Sequence, residues 1–350
     1  MRKISVRASF IYDVLVGENI IQCAGDYIKN LSSARRVLVV TDDVVNCLHS
    51  DAVIKSLKRN GFEVFLFVLV SGEKSKSLRS VEKIYSFLIE NKFARTDLIL
   101  ALGGGVVGDI AGFVASTYMR GIDLVQIPTT LLAQIDSSIG GKNGVNLSSY
   151  GKNLVGTVYQ PRLVLVDVVA LSTLPKKFIS DGMAEAIKYG LIASAELFYK
   201  IKNLKLCDFL EDLIFECVDI KKRIIEADEF EQNERKLLNF GHTLGHAIEK
   251  VYNFSGYTHG QAVAIGMAYA TRAGEKIGIT KEGTYEELVA VLKKYQLPFK
   301  VDCDMAALLE VAQNDKKSLG KYFDVALLES IGNGFVKRIP TDDLKKYIGG

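Results

Sequence analysis

Asp97-Leu98-Ile99-Leu100-Ala101-Leu102-Gly103-Gly104-Gly105-Val106-Val107-Gly108-Asp109 joins a short apolar run to a glycine cluster, and the residues from Asp109 to Met119 can be helical. An apolar run of this length ending in glycine reads as a buried strand, and a strand that turns directly into a helix is the repeating unit of a parallel α/β sheet. Gly103, Gly105 and Gly108 satisfy the spacing G-x-G-x-x-G. Glycines there let a pyrophosphate approach the backbone N–H groups at a helix start. A tight strand-to-helix turn without ligand would give the same spacing. The loop follows the third strand, and the acidic Asp123 begins the next strand where the dinucleotide fingerprint wants it at the end, so that fingerprint fits poorly.

Outward from this loop the same alternation continues. Residues 36–41 and 63–70 are β-branched apolar runs, 77–91 is amphipathic, and further strands are expected at 123–127 and 163–166. Asp42 and Asp43 follow the first of these runs, where a carboxylate could take a ribose hydroxyl pair or cap the next helix. Eleven of the 30 glycines lie between Gly103 and Gly156, so this region carries the tight turns where loops meet ligands. After Pro175 the 3.6-residue period takes over, with helices expected at 180–192, 206–228, 236–251, 261–277 and 285–295. Residues 323–328 suit a short strand or a helix. The expected fold is α/β plus all-α: an N-terminal Rossmann-like parallel-sheet domain (1–176) and a C-terminal helical domain (177–350).

The 350 residues are 48% apolar and 24% charged, enough for two domains with real cores. The 44 basic residues against 41 acidic leave a net charge of +3, too little to gather nucleic acid or coat an anionic membrane. Five cysteines, an odd number without C-x-x-C spacing, argue against a disulfide framework or a zinc-thiolate knuckle. No uncharged apolar run reaches the ~18 residues of a membrane span, and the expectation is a cytoplasmic protein.

Of four histidines, three fall close together: His242, His246 and His259. The i, i+4 spacing of the first two puts both imidazoles on one helix face, which a divalent metal or a phosphate could exploit. His259 is expected in a loop ahead of a helix beginning near Gln261. A catalytic zinc site wants about three protein ligands, commonly with a carboxylate. Glu185 and Lys188, a charged pair in an otherwise apolar helix, offer that carboxylate or are an ordinary ion pair on a solvated face. Arg120, Lys142 and Lys152 sit on glycine-rich segments with Asp136 among them, which suits a phosphate or carboxylate site, or solvated loop charges. Lys221 to Arg223, Arg235 and Asn239 precede the histidines and could face the same cleft.

The stretches 103–109, 119–122, 128–138, 140–142, 151–153, 184–190 and 239–246, the last reading Asn239-Phe240-Gly241-His242-Thr243-Leu244-Gly245-His246, together resemble the 3-dehydroquinate synthase family. The resemblance runs from about Val39 to Gly332. It implies a nucleotide-binding α/β domain, a helical metal-binding domain and an active site between them. It also implies conversion of 3-deoxy-D-arabino-heptulosonate 7-phosphate to 3-dehydroquinate and phosphate, with bound NAD and a divalent metal, zinc or cobalt. The implied route is transient oxidation of a ring carbinol, loss of phosphate with the substrate's own phosphate taking the proton, re-reduction, ring opening and intramolecular aldol closure.

Carried over motif by motif, the resemblance puts the metal ligands on Glu185, His242 and His259, which moves His246 to the substrate. Substrate and phosphate contacts fall on Arg120, Asp136, Lys142, Lys152, Asn153, Lys188, Lys221, Arg235, Asn239 and His246, with Lys316 or Lys317 closing over the substrate. NAD contacts fall on Asp42, Glu73, Lys76, Gly104, Gly105, Val106, Asp109, Thr129, Thr130, Leu132 and Thr173, with Lys142 and Lys152 shared. Val44 and Ser71 depart from the pattern, standing where some relatives have a polar adenosine contact and a proline. The family implies a homodimer acting on a small-molecule sugar phosphate, with no nucleic-acid or membrane partner. The rival readings are a sister sugar-phosphate cyclase, a metal-dependent polyol dehydrogenase and a non-catalytic nucleotide-binding protein.

Overall fold

The computed structural model describes residues 1–147, 151–252, 256–303, 305–317 and 321–349; the side chains of residues 314–317 lie outside that description, and with them Lys316 and Lys317. Contacts divide the chain into two compact units, Met1–Pro175 with Lys221–Glu226 and Lys176–Ile220 with Ala227–Gly350.

The first unit contains strands β1 (Arg2–Arg7), β2 (Ile11–Gly17), β3 (Arg36–Asp42), β4 (Glu63–Leu69), β5 (Leu98–Gly103), β6 (Asp123–Pro128), β7 (Lys142–Leu147), β8 (Gly151–Val158) and β9 (Leu163–Asp167). Seven form one sheet in the order β1-β2-β9-β6-β5-β3-β4, antiparallel only between β1 and β2, while β7 and β8 pair as a separate hairpin. Strand β5 is buried along its whole length. Its residues alternate between two cores, Leu98, Leu100 and Leu102 in one and Ile99 and Ala101 in the other, as the period of two requires. That explains why it reads as a continuous apolar run. Helix Gly105–Thr117 lays Ile110, Ala111 and Val114 on the second core, where each large side chain contributes roughly 1.5–3 kcal/mol.

The sheet order also locates a ligand crevice. From β3 the chain moves outward to β4, then returns to the other side of β3 to lay down β5 and continues the opposite way to β6. Ligands of open α/β sheets bind where the order reverses, beyond the carboxyl ends of the strands. Here those ends are Asp42 and Gly103.

The second unit is built on helices Lys176–Ala193, His242–Val251 and His259–Lys276, with the hairpin β10 (Tyr322–Ser330) and β11 (Asn333–Pro340). Residues 323–328 are therefore strand, not helix, and an otherwise helical unit carries a hairpin. The expected helix over 236–251 is two elements, a 3₁₀ turn Glu234–Asn239 and a helix starting at His242, because Gly241 takes φ +80°, which no helix continues through. The helix expected from Gln261 begins two residues earlier: Thr258 Oγ1 accepts from Gln261 N–H and Gln261 Oε1 accepts from Thr258 N–H, a capping box that brings His259 into the first turn. Strands β1, β2, β7, β8 and β11 lie outside the sequence expectation. Among the described residues no helix is long and apolar enough to cross a membrane.

The His259–Lys276 helix packs backbone to backbone on the turn before His242: a Cβ on Gly266 would stand 1.9 Å from Gly241 O. Since that oxygen belongs to the chain and not to a movable side chain, Gly266→Ala is expected to destabilise the protein by about 1–3 kcal/mol, read as a lowered midpoint in urea unfolding. An unchanged midpoint would show that the two backbones do not meet there.

Candidate active site

Three segments of the second unit bring a carboxylate and two imidazoles together. Glu185 comes from the middle of helix Lys176–Ala193, His242 from the first turn of its helix and His259 from the first turn of the next. Glu185 Oε1 lies 3.5 Å from His242 Nε2 and 3.7 Å from His259 Nε2. These separations are near the ~3.4 Å expected between ligand atoms about 2.1 Å from one tetrahedral ion. Glu185 is wholly buried, and its Oε1 accepts no hydrogen bond among the described residues. A buried carboxylate oxygen left without a donor is costly unless a cation meets it. The donor set therefore fits a divalent metal.

The rings are prepared for that task. His242 Nδ1 faces Phe240 O at 3.2 Å, so its proton sits there and the Nε2 lone pair turns toward Glu185. Burial first, then the positive charge of Lys188 and the two neighbouring histidines, holds His242 well below the usual imidazole range, in its neutral, ligating form. His259 moves the other way. Burial lowers it, but the Glu249 carboxylate 3.6 Å from its Nδ1, together with Glu185 and Asp181, more than reverses that effect. Lys188, also buried, makes a close ion pair with Glu185, so the solvated-face reading of this pair does not hold.

His246, the i+4 partner of His242, is exposed, and its ring centroid lies 5.6 Å from that of His242 and 6.3 Å from that of His259. It groups with Glu249 and His259, not with Glu185. Asn239 is half-buried and donates from Nδ2 to Glu231 Oε1 at 2.6 Å, while Arg235 is buried and donates to Glu229 O.

The first unit holds the remaining candidates. Gly104 precedes helix Gly105–Thr117 as an N-cap without a side chain, so the helix start is left for an anion. Added Cβ atoms would meet Thr130 Cγ2 at 3.1 Å from Gly104 and Ser137 Oγ at 2.9 Å from Gly105. Thr129 Oγ1 and Ser137 Oγ are buried with no hydrogen-bond partner among the described residues. A bare helix start flanked by unused hydroxyls, in a cradle that any side chain would fill, fits a nucleotide pyrophosphate. Val106 follows in the first turn, and Thr130 Oγ1 accepts from Ala133 N–H at 3.2 Å with Leu132 between them.

Asp42 acts as an N-cap, Oδ1 accepting from Val44 N–H at 3.0 Å and Val45 N–H at 2.9 Å. Ser71, one of the two departures, donates its N–H to Asp43 Oδ1 at 2.9 Å, a bond proline could not make; that bond is the main reason the Asp43 carboxyl lies below its usual range. Thr173 Oγ1 donates to Ala170 O and meets His49 Nε2 at 3.1 Å.

Lys76 is buried between Asp109, with which it forms a close ion pair, and Asn153 Oδ1 at 2.6 Å. Glu73 Oε1 accepts from Asn146 Nδ2 at 2.7 Å, which ties the same loop to β7. Lys221 Nζ is held by Asp136, 2.6 Å from its carbonyl and 2.7 Å from its carboxylate. Lys142 pairs opposite Val158 and Gly151 opposite Leu147, so Lys142 and Lys152 stand at opposite ends of this ladder. Arg120 is exposed with φ +64°, after Met119 at +48°. Two successive left-handed non-glycine residues cost of order 1–3 kcal/mol each, strain that clusters at functional sites.

Glu249 and Ser137 are absent from the sequence-derived set. Glu249 carried a signal, an acid three residues after His246 in an apolar helix. Ser137 carried none, since only the fold brings it to Gly105.

The fold and these sites define an α/β unit with a glycine-loop anion cradle and a helical unit with a His–His–carboxylate centre. Residues 66–181 match the family described as 3-dehydroquinate synthase N-terminal, and residues 182–318 the one described as 3-dehydroquinate synthase C-terminal. The chain is 46% identical over 342 residues to the 3-dehydroquinate synthase of Clostridium acetobutylicum, covering 96% of each. It belongs to the 3-dehydroquinate synthase family. Among solved structures it is similar to 2-deoxy-scyllo-inosose synthase complexed with carbaglucose-6-phosphate, NAD+ and Co2+ (26% identity, TM-score 0.86, 99% of each chain). It is likewise similar to 2-epi-5-epi-valiolone synthase of Streptomyces hygroscopicus with NAD+ and Zn2+ bound (27% identity, TM-score 0.86, 98% and 97% covered).

Burial pushes the Asp109 carboxyl up to about 6, against the opposing pull of Lys76. A carboxyl whose folded value lies above its unfolded one favours the folded state at low pH, and that advantage disappears as pH rises through about 6. Lys76→Met removes the compensating charge, so its destabilisation should grow from pH 5 to pH 8, reaching roughly 3–5 kcal/mol by urea unfolding. A loss independent of pH would show that Lys76 does not neutralise Asp109.

Proposed function

We propose that the chain converts 3-deoxy-D-arabino-heptulosonate 7-phosphate to 3-dehydroquinate and inorganic phosphate, a carbon–oxygen lyase reaction of the shikimate route to aromatic amino acids. The observation that carries this reading is the 46% identity across 96% of the chain to a protein of that activity. It is joined by a buried Glu185 oxygen that finds no donor among the described residues and faces two imidazoles. The sister cyclases share the fold at 26–27% identity and are the weaker reading of substrate.

In this reading Glu185, His242 and His259 hold a divalent metal, zinc or cobalt, whose Lewis acidity when bound favours the ionised form of the substrate carbinol. The glycine cradle would hold NAD, which would supply reversible hydride acceptance, so the net reaction is not a redox one. Gly104, Gly105, Val106, Thr129, Thr130 and Leu132 would hold its pyrophosphate. Asp42, Glu73, Lys76, Asp109 and Thr173, with Lys142 and Lys152, shape the rest of its site.

The chain's own chemistry is positioning. Arg120 offers a planar fork for a phosphate or carboxylate, and its strained backbone fixes where the fork stands. Lys152, Asn153 and Lys142 add donors, and Asp136 holds the Lys221 ammonium in one place. Lys188, Arg235, Asn239 and His246 are the corresponding donors of the helical unit. Negative charge builds on the substrate as the proton leaves and phosphate departs, and cations fixed beforehand stabilise that charge without reorganising. The proton passes to the substrate's own phosphate, so no side chain is required as the base. We further propose, from the family resemblance, a cytoplasmic homodimer; the net charge of only +3 supports the absence of a nucleic-acid partner.

Purified protein given NAD, zinc and the heptulosonate phosphate should release phosphate, lose that activity on chelation and accumulate no NADH. Release from an aldohexose phosphate instead would move it to the sister cyclases, and NADH accumulating with glycerol would make it a polyol dehydrogenase. Arg120→Ala should lower kcat/KM by roughly 10²–10³-fold without changing zinc content. Alanine at Glu185, His242 or His259 should abolish zinc binding, measured by elemental analysis after gel filtration.

A further inference from the structure

We propose that Glu249 is a positioning residue: its carboxylate holds the proton on His259 Nδ1 and thereby turns Nε2 toward the metal position beside Glu185. The proposal rests on the metal reading above and adds a residue to it.

His259 is used on both sides of its ring. Nε2 faces Glu185 Oε1 at 3.7 Å, and Nδ1 faces Glu249 Oε2 at 3.6 Å. The arrangement repeats that of His242, whose Nδ1 faces Phe240 O and whose Nε2 faces the same Glu185 oxygen. A ligating imidazole needs its second nitrogen held, because the acceptor there sets both the tautomer and the rotation of the ring. Glu249 is itself buried, in the helix that begins with His242. One short helix thus supplies a ligand at its start and the acceptor for the other ligand two turns later. His246, Glu249 and His259 also stand close enough to hold an ion of their own. The unsatisfied oxygen of Glu185 places the ion on the other side of the ring, which leaves Glu249 as acceptor.

The test uses metal-free full-length protein, with zinc affinity measured by chelator competition and Co2+ binding followed by its visible spectrum. Glu249→Leu should weaken zinc binding about a hundredfold, and Glu249→Gln, which keeps an acceptor oxygen without charge, about tenfold. Both should still bind one ion, and His246→Ala should keep wild-type affinity. Melting curves of the metal-free variants identify any loss of folding; if Glu249→Leu does not fold, Glu249→Gln decides. Wild-type zinc affinity in Glu249→Gln overturns the proposal. So does loss of binding in His246→Ala and both Glu249 variants with binding retained in Glu185→Gln, since the ion would then sit on the Glu249 side. Glu185→Ala checks the underlying reading separately: zinc bound at full affinity without Glu185 would remove the metal site itself.

Discussion

A carboxylate with no access to water, Glu185, sets the terms for the helical unit. Removing such a charge from solvent costs several kcal/mol unless partners compensate; Lys188 pairs with one of its oxygens, and two imidazoles face the other. The two imidazoles come from other helices, so three helices converge on one point. That convergence explains the glycines. Gly260 stands where a Cβ would meet Asp181 O at 2.2 Å, and its N–H donates to Asp181 Oδ1 at 2.6 Å, which pins the start of the His259 helix to the Glu185 helix. Gly266 lets the same helix lie on the Gly241 turn, and Gly245, four residues after Gly241, gives it room at Ala262.

The sheet unit obeys a different constraint. Its candidate anion cradle is a helix start without a side-chain cap, where a Cβ at Gly104 or Gly105 would crowd Thr130 and Ser137. The reversal of strand order beside β3 places Asp42 and the glycine loop at the same end of the sheet. Around that end the ionic groups are already engaged with one another, Lys76 with Asp109 and Lys221 with Asp136. Such pairs hold long side chains in single positions, so binding a ligand there spends less conformational entropy than ordering free lysines would.

Much of this was legible in residue pattern. The apolar run before Gly103, the period change after Pro175 and the glycine spacing carried the two-part architecture, since burial on both faces of β5 demands a run and one-sided burial of a helix demands a 3.6-residue period. The hairpins were not legible. β7 and β8 are rich in glycine and asparagine, which strands disfavour, so their local pairing left no apolar run to read. The break at Gly241 was hidden because the apolar period runs across it, and the capping box of Thr258 and Gln261 that starts the next helix at His259 went unread.

The candidate site divides in the same way. Residue types and their order determined that histidines, a buried acid, cations and a glycine loop were present, and resemblance assigned them roles. Only the tertiary structure decided that His246, at ideal helical spacing from His242, turns away from Glu185 while His259, seventeen residues on, turns toward it. Spacing along one helix reports which side chains share a face. The meeting of side chains from separate helices depends on interhelical packing, and here the glycines and cap beside the histidines, Gly241, Thr258 and Gly260, act through what they meet on other segments.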